Sequence, residues 1–236
     1  MKLLVSVTGA AEATEAVAGG AHIIDVKDPA AGALGAATPA SVREVRAATP
    51  RNVPVSVALG DRPGEIVAVT RAASLAAECG VEFVKIGLCD TTGDRALHAL
   101  HVVRASLPDT VHLIVAGFAD FRRAGSPAPL ELPRLAQAVG ARGCLLDTAI
   151  KDGRGLFHWL DDATLRSFVE ACREHGLLCA LAGSLGPADL PELAAIGPDI
   201  VGVRGAACEG DRVHGRVSRS RVEALALLLD GRAPVY

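Results

Sequence analysis

Short runs of apolar residues alternate along the chain with longer alanine-rich stretches whose apolar positions recur with helical spacing. The apolar runs predict eight β-strands, at 3–7, 22–26, 53–58, 82–86, 111–116, 143–147, 178–182 and 199–203. The stretches that follow them predict eight helices, at about 10–18, 38–48, 64–79, 93–106, 130–139, 161–175, 186–195 and 218–230. Glycine and proline lie at several boundaries, where they start or stop a helix.

Strands that are apolar at nearly every position are typical of a parallel sheet that is buried on both faces. Eight β/α units predict an α/β protein with the (β/α)8 TIM-barrel fold, and 236 residues suit one such barrel. We expect a single catalytic domain that spans residues 1–236. A doubly wound open sheet is the alternative architecture. The number of units, and the lack of a G-x-G-x-x-G motif after the first strand, favour the barrel.

The composition narrows the range of partners. The formal net charge is −3 and aromatic residues make up 3%, so the chain offers neither a basic field nor stacking platforms for nucleic acid. The six cysteines form no C-x-x-C pair, which is typical of a reduced, cytoplasmic protein. The apolar run at 3–7 is too short for a signal peptide, and no apolar segment reaches about 18 residues. We expect a cytoplasmic protein that binds neither nucleic acid nor membrane.

Only four of the 24 basic residues are lysines, and three of them, Lys27, Lys85 and Lys151, fall at or just past the ends of predicted strands. In a TIM barrel the carboxyl ends of the strands form the active-site face. A lysine amine that loses its proton can attack a carbonyl group to form a Schiff base, whereas a guanidinium cannot. The alternative for each lysine is a structural ion pair. Three lysines at one face favour a site.

Carboxylates and an arginine accompany these lysines. Asp25 lies two residues before Lys27 and shares its strand face, Asp147 ends the sixth predicted strand, and Arg204 ends the eighth. All of these groups come from even-numbered strands, which contribute to common layers inside a barrel. If the register turns them inward, burial and a neighbouring ammonium lower the pKa of one lysine. The alternative is an ion-pair network that closes the top of the barrel.

Small residues follow the last two predicted strands. Gly183 and Ser184 come after the seventh strand, and Gly205 and Ala206 come after Arg204 at the end of the eighth. In TIM barrels these two loops commonly bind phosphate through backbone N–H groups, and small residues let the anion approach. These five residues are therefore the predicted phosphate-binding set. The sequence gives no role to Arg122, Arg123 or the segment 210–215.

Five segments of the chain together resemble the (5-formylfuran-3-yl)methyl phosphate synthase family of methanofuran biosynthesis. These segments are IDVKDP at 24–29, KIGL at 85–88, LDTAIKDG at 146–153, ALAGS at 180–184 and VGVRGAAC at 201–208. The resemblance spans nearly the whole chain. It implies a lyase that condenses two molecules of glyceraldehyde 3-phosphate to 4-(hydroxymethyl)-2-furancarboxaldehyde phosphate, with loss of one phosphate and two waters.

The resemblance also implies roles for individual residues. By position, Lys27 is the Schiff-base lysine and Lys85 is the proton-transferring group, while Asp25, Asp147 and Lys151 complete the catalytic set. A triose phosphate is small, anionic and carries a carbonyl group, which suits the amines and phosphate loops read from the residues. We expect no metal and no organic cofactor, and we expect a homo-oligomer.

Three other functions remain open at this point. The chain could be a different Schiff-base aldolase that acts on sugar phosphates, since such an enzyme shares the first half of the reaction with the synthase. A barrel that binds pyridoxal phosphate would use one lysine to hold that cofactor. A non-catalytic barrel that binds a phosphorylated metabolite would leave its lysines with ordinary pKa values.

Overall fold

The computed structural model describes residues 1–231, and its eight parallel strands close into a barrel in chain order. The last five residues of the expected domain, 232–236, lie outside the described part. The barrel strands are β1 (Lys2–Val7), β2 (Ile23–Val26), β3 (Val55–Ala58), β4 (Phe83–Gly87), β5 (His112–Phe118), β6 (Gly143–Asp147), β7 (Leu178–Leu181) and β8 (Ile200–Val203). Strand β8 pairs with β1 and so closes the barrel.

Helices lie between the strands and surround the barrel. They are α1 (Ala10–Ala18), α2 (Pro39–Ala48), α3 (Ile66–Glu78), α4 (Gly93–Ala105), α5 (Phe121–Ala124), α6 (Leu132–Ala138), α7 (Leu156–Trp159), α8 (Asp162–Glu174), α9 (Leu190–Ile196) and α10 (Arg219–Leu229). Within the residues described, no helix is both long and apolar enough to cross a membrane.

The predicted TIM barrel is confirmed, and each of the eight predicted strands and helices has a counterpart. The sequence missed the four-residue helices α5 and α7, because a single helical turn is too short to show a 3.6-residue period. It also missed the strands β9 (Cys208–Glu209) and β10 (Arg216–Val217), which form a small antiparallel hairpin after β8. This hairpin lies at the site described below.

The apolar core has two parts. One part lies between the strands and the helices and includes Leu3, Ile24 and Leu146, which are all fully buried. The other part lies inside the barrel, where Leu4, Ile23, Leu145 and neighbouring residues pack together. Burial of each leucine or isoleucine side chain contributes about 1.5–3 kcal/mol to stability.

The strand register places a polar layer inside the barrel above this apolar layer. Ser6 of β1 is the Cα partner of Asp25 of β2, and Asp25 is in turn the partner of Ser56 of β3. Side chains alternate between the two faces of a strand, so the carboxylate of Asp25 lies one step above Ile23 on the inner face. The register therefore turns the even-strand residues toward one interior cavity.

Candidate active site

A cavity of about 380 Å³ opens at the carboxyl ends of the barrel strands. Its lower wall is apolar and includes Leu4, Ile23 and Ile114. Its upper wall carries the chemically active side chains, which are Ser6, Lys27, Ser56, Lys85, Asp147, Lys151, Arg204 and Arg212. The loops after β7 and β8 complete the rim with Gly183, Ser184, Gly205 and Ala206. The structure thus brings the residues predicted from the sequence to one place.

Lys85, which lines this cavity, forms a buried ion pair with Asp25 behind the cavity wall. The Nζ atom of Lys85 lies 2.7 Å from Oδ1 of Asp25, and the hydroxyl of Ser6 donates a 2.8 Å hydrogen bond to Oδ2. All three side chains are buried. Each carboxylate oxygen of Asp25 thus has one partner, and all three residues lie on barrel strands. The strands therefore determine the position of the Lys85 ammonium.

Lys27 is the second buried amine of the cavity, and its surroundings favour the neutral form. Its Nζ donates a 3.0 Å hydrogen bond to the carbonyl oxygen of Ala33, in the loop after β2. Burial lowers the pKa of Lys27 from 10.5 to about 8; Asp147 and Asp25 oppose this shift, and Lys85 adds to it. At neutral pH roughly one molecule in ten then carries a neutral amine, which is the nucleophilic form.

Asp147 and Lys151 form the second ion pair of the site. Lys151 bonds to Oδ1 of Asp147 and donates a 3.0 Å hydrogen bond to the hydroxyl of Thr148. Burial would raise the pKa of Asp147, but Lys151 and Lys27 outweigh it and lower that pKa to about 2. Asp147 therefore stays ionised under all ordinary conditions and keeps Lys151 at the cavity wall.

The loop that carries Lys151 is fastened by Asp120, a residue that sequence reasoning missed. Asp120 is 2% exposed, and its carboxylate accepts hydrogen bonds from the backbone N–H groups of Ala149 (2.7 Å) and Ile150 (3.1 Å). Its partners lie about 30 positions along the chain, so no local pattern marks it. A charged residue in the short interval between β5 and α5 is the one signal that could have found it.

Trp159 fastens the outer part of the same loop. The guanidinium groups of Arg123 and Arg154 lie over its ring, at 4.9 Å and 4.6 Å from the ring centre, and both bond to Asp152. Arg122 is exposed and lies over the ring of Phe121. Within residues 1–231 neither Arg122 nor Arg123 lines the cavity.

Arg204 lies at the predicted place, but its guanidinium is fully engaged within the protein. It forms a two-point ion pair with Glu12 of α1. Its other N–H groups donate to the carbonyl oxygens of Ser6 (3.1 Å), Arg212 (3.1 Å) and Gly215 (3.2 Å). These contacts use all five N–H donors of the side chain. A phosphate could bind to Arg204 only by displacing one of these acceptors.

The four small residues of the predicted phosphate set lie at the rim of the cavity. Gly183 has a φ of +112°, and Ser184 has a φ of +54°, a left-handed conformation that is uncommon outside glycine and is concentrated at functional sites. Gly205 and Ala206 begin a 3₁₀ turn, so their N–H groups have no partner within that turn. The backbone here can therefore offer donors to an anion.

Arg212 is the charged residue among the cavity side chains that the sequence missed; Ser6 and Ser56 were missed as well. It lies in the turn 210–215 between β9 and β10, and it is half-buried. Its guanidinium donates to the carbonyl oxygens of Pro29 (2.9 Å) and Gly32 (3.2 Å), in the loop after β2. Burial lowers the pKa of Arg212 from its usual value, although an arginine stays charged in proteins. The only sequence signal is an arginine enclosed by Gly210 and Gly215.

Asp61 braces the loop after β2 from the opposite side. Its Oδ1 accepts a 2.9 Å hydrogen bond from the backbone N–H of Leu34, the residue next to the carbonyl that binds Lys27. A Cβ atom on Gly32 would lie 2.0 Å from Oδ2 of Asp61, so glycine is required there. Burial raises the pKa of Asp61. The segment 29–34 is thus fixed between Asp61 and Arg212.

Comparison with known proteins shows what the chain resembles. The sequence model of the 4-HFC-P synthase family matches residues 3–226. The (5-formylfuran-3-yl)methyl phosphate synthase of Methanothermobacter thermautotrophicus is 47% identical over 234 residues, which cover 98% of this chain and 99% of that protein. The protein of the same description from Methanocaldococcus jannaschii is 43% identical over 230 residues, or 95% and 98% of the two chains.

Solved structures of lower identity share the fold. The crystal structure of KGPDC from Streptococcus mutans superposes with a TM-score of 0.68 at 14% sequence identity. The match covers 97% of each chain. At this level of identity the likeness establishes a common barrel architecture only.

Proposed function

Because the chain belongs to the 4-HFC-P synthase family and is an enzyme of that type, we propose that it condenses two molecules of glyceraldehyde 3-phosphate through a Schiff base on Lys27. The product is 4-(hydroxymethyl)-2-furancarboxaldehyde phosphate. The observation that carries the proposal is the buried amine of Lys27, whose pKa of about 8 makes it a nucleophile near neutral pH. Two further amines, Lys85 and Lys151, line the same cavity, and each is paired with a carboxylate.

The first step is imine formation. The neutral amine of Lys27 adds to the carbonyl carbon of one triose phosphate, and the resulting carbinolamine takes up a proton and loses the carbonyl oxygen as water. The product is a protonated imine. The charge of this imine is stabilised by the buried carboxylates Asp147 and Asp25, which attract the cationic form of Lys27.

The imine then makes the carbon–carbon bond. Its positive charge acidifies the adjacent C–H, a base removes that proton, and the enamine carbon attacks the aldehyde of the second triose. The aldehyde oxygen takes up a proton as the bond forms. We assign this proton transfer to Lys85, because its ammonium is held at 2.7 Å from Asp25 on the strand next but one to β2, and a held donor is what general acid catalysis needs.

The later steps remove phosphate and water. Elimination breaks one C–O bond and releases inorganic phosphate, and ring closure with loss of two waters gives the furan. Hydrolysis of the imine by one water, which replaces the water lost in its formation, breaks the C–N bond and frees the amine of Lys27. Two trioses less one phosphoric acid and two waters leave the six carbons and single phosphate of the product, so the atoms balance. The ion pair of Lys151 and Asp147 provides a second acid–base pair for these eliminations.

The test is product formation from glyceraldehyde 3-phosphate alone. The purified protein should release about one inorganic phosphate per furaldehyde, and the furaldehyde is measured by its near-ultraviolet absorbance and by mass spectrometry. Lys27→Arg serves as the control, since it keeps the charge and cannot form an imine. A hexose bisphosphate formed with no phosphate release would show instead an aldolase, and would overturn the proposal.

A further inference from the structure

The cationic side chains of the cavity divide into two groups. Lys85, Lys151 and Arg204 each have a carboxylate partner within ion-pair distance, namely Asp25, Asp147 and Glu12. Lys27 and Arg212 have none in the described part of the chain, and both are held by backbone carbonyl oxygens instead. The amine of Lys27 reacts in its neutral form, and burial favours that form. Arg212 stays charged, and Asp147, Asp61 and Asp211 favour its charged form only from beyond ion-pair distance, so the position of its guanidinium calls for a different explanation.

The hairpin β9–β10 holds Arg212 in place. The Oδ1 atom of Asp211 accepts hydrogen bonds from the backbone N–H groups of Val213 (2.7 Å) and His214 (2.8 Å), which closes a tight turn. The carbonyl oxygen of Arg212 accepts the Nε–H of Arg204, and Arg204 is anchored on Glu12 of α1. The backbone of Arg212 is therefore fixed to the first helix of the barrel.

The guanidinium of Arg212 has donors to spare. It uses one N–H on the carbonyl oxygen of Pro29 and one on that of Gly32, and a guanidinium has five. The side chain lines the cavity and runs beside the backbone of Gly205, where an added Cβ would lie 3.7 Å from the Cβ of Arg212. Three N–H groups of Arg212 thus have no acceptor among the described residues, at the wall of a cavity that Gly205 and Ala206 also line.

We propose that Arg212 is the cationic residue that binds a substrate phosphate at this wall of the cavity, and that Arg204 is its structural support. This inference rests on the proposed function, which brings phosphorylated substrates to the cavity. A planar guanidinium donates two parallel hydrogen bonds to a phosphate, which is the strongest form of this contact.

The same loop links the phosphate to the nucleophile. The carbonyl oxygens of Pro29 and Gly32 hold Arg212, and the carbonyl oxygen of Ala33 holds Lys27. Five residues of backbone therefore set the distance between the anion-binding group and the amine. We expect a triose whose phosphate is bound at Arg212 to present its carbonyl carbon to Lys27, and such positioning contributes more to the rate than the phosphate contact alone.

The experiment compares substrates with and without phosphate. Lys27 imine formation is measured by borohydride trapping and mass spectrometry in the intact chain, in Arg212→Gln and in Arg212→Lys, with glyceraldehyde 3-phosphate and with glyceraldehyde. We expect Arg212→Gln to weaken the apparent affinity for the phosphorylated triose by about 10- to 100-fold, while trapping of glyceraldehyde changes little. The apparent affinity of Arg212→Lys for the phosphorylated triose should lie between those of the intact chain and of Arg212→Gln. Arg122→Gln, which removes an exposed arginine outside the cavity, is the matched control and should behave like the intact chain.

An equal loss of trapping with both trioses would overturn the inference, because it would show that Arg212 only braces the loop after β2. Titration with inorganic phosphate, followed calorimetrically, separates the inference from the proposed function. If the intact chain binds phosphate and Arg212→Gln does not, the inference stands even where no furaldehyde is formed. If both bind phosphate equally, the inference fails, whatever product is made.

Discussion

The amine of Lys27 lies 3.0 Å from the carbonyl oxygen of Ala33, six residues further along the chain. A carbonyl oxygen can accept a hydrogen bond from an amine in either protonation state, so this contact holds Lys27 without forcing it to stay charged. A carboxylate at the same distance would favour the ammonium by several kcal/mol in a buried site. The two lysines therefore differ in their partners: Lys27 is held by a neutral carbonyl oxygen, whereas the ammonium of Lys85 is paired with the carboxylate of Asp25.

The rate of imine trapping on Lys27 should rise with pH, reach half its maximum near pH 8 and level off about one pH unit above that. Only the neutral amine attacks, and the pKa of Lys27 is lowered to about 8, so the reactive fraction increases as the pH passes that value. The measurement is borohydride trapping with triose phosphate between pH 6 and 10 (roughly the range in which a shifted lysine titrates). A rate that kept rising to pH 10 would indicate an ordinary lysine.

Lys27→Met should make the protein more stable at neutral pH, at the expense of activity. The folded-state pKa of Lys27 is lower than its unfolded value of 10.5, so the folded chain binds fewer protons and the lysine costs stability below about pH 8. The cost is about 3 kcal/mol at pH 7, and it falls as the pH rises from about 8 toward 10.5. Urea unfolding at pH 7 and pH 9.5 should show the stability gap between variant and parent shrinking to roughly half. A gap independent of pH would contradict the shift.

Lys85→Arg should separate imine formation from product formation. The arginine retains a positive charge beside Asp25, so the buried carboxylate keeps a partner, but its guanidinium is a very weak acid. We expect a trapped adduct on Lys27 and a fall in furaldehyde formation of about 100-fold or more, the usual size of a lost proton transfer. Single-turnover trapping and product assays on the same preparation provide the comparison. Full activity in this variant would show that Lys85 does not carry out the proton transfer.

Asp120→Ala should impair the site without touching the cavity. The substitution leaves the N–H groups of Ala149 and Ile150 without their acceptor. Because both hydrogen bonds are only partly buried, we expect a cost near the lower end of about 1–3 kcal/mol. The loop that carries Lys151 should loosen, so turnover should fall more than imine trapping on Lys27. Asp109→Ala is the control, since it removes an exposed carboxylate that pairs with Arg104 at the surface. A change in stability alone, with normal turnover, would confine Asp120 to a structural role.

Much of this arrangement could be predicted from the sequence. The apolar runs located the strands, and the alternation of side chains placed Asp25 and Lys27 on one face. What could not be predicted lies in loops, where no period constrains the chain. Arg212 binds carbonyl oxygens about 180 positions away, and Asp120 binds N–H groups about 30 positions away. The position of Arg204 was predictable, but its pairing with Glu12 depends on how α1 packs against the hairpin after β8.

Asp61 and Arg212 both contact the segment 29–34, and the reactivity expected of Lys27 depends on completion of the barrel. Asp61 comes from the first half of the chain and Arg212 from its end, and β8 must pair with β1 before Arg212 can reach this segment. A half-barrel fragment ending after β4 would contain Lys27, Asp25 and Lys85, yet its cavity would be open to water and Lys27 would titrate as an ordinary surface lysine. A reactive amine is a hazard in an unfinished chain, because it would attack any available aldehyde. We therefore expect the pKa of Lys27 to fall only when the last strand closes the barrel.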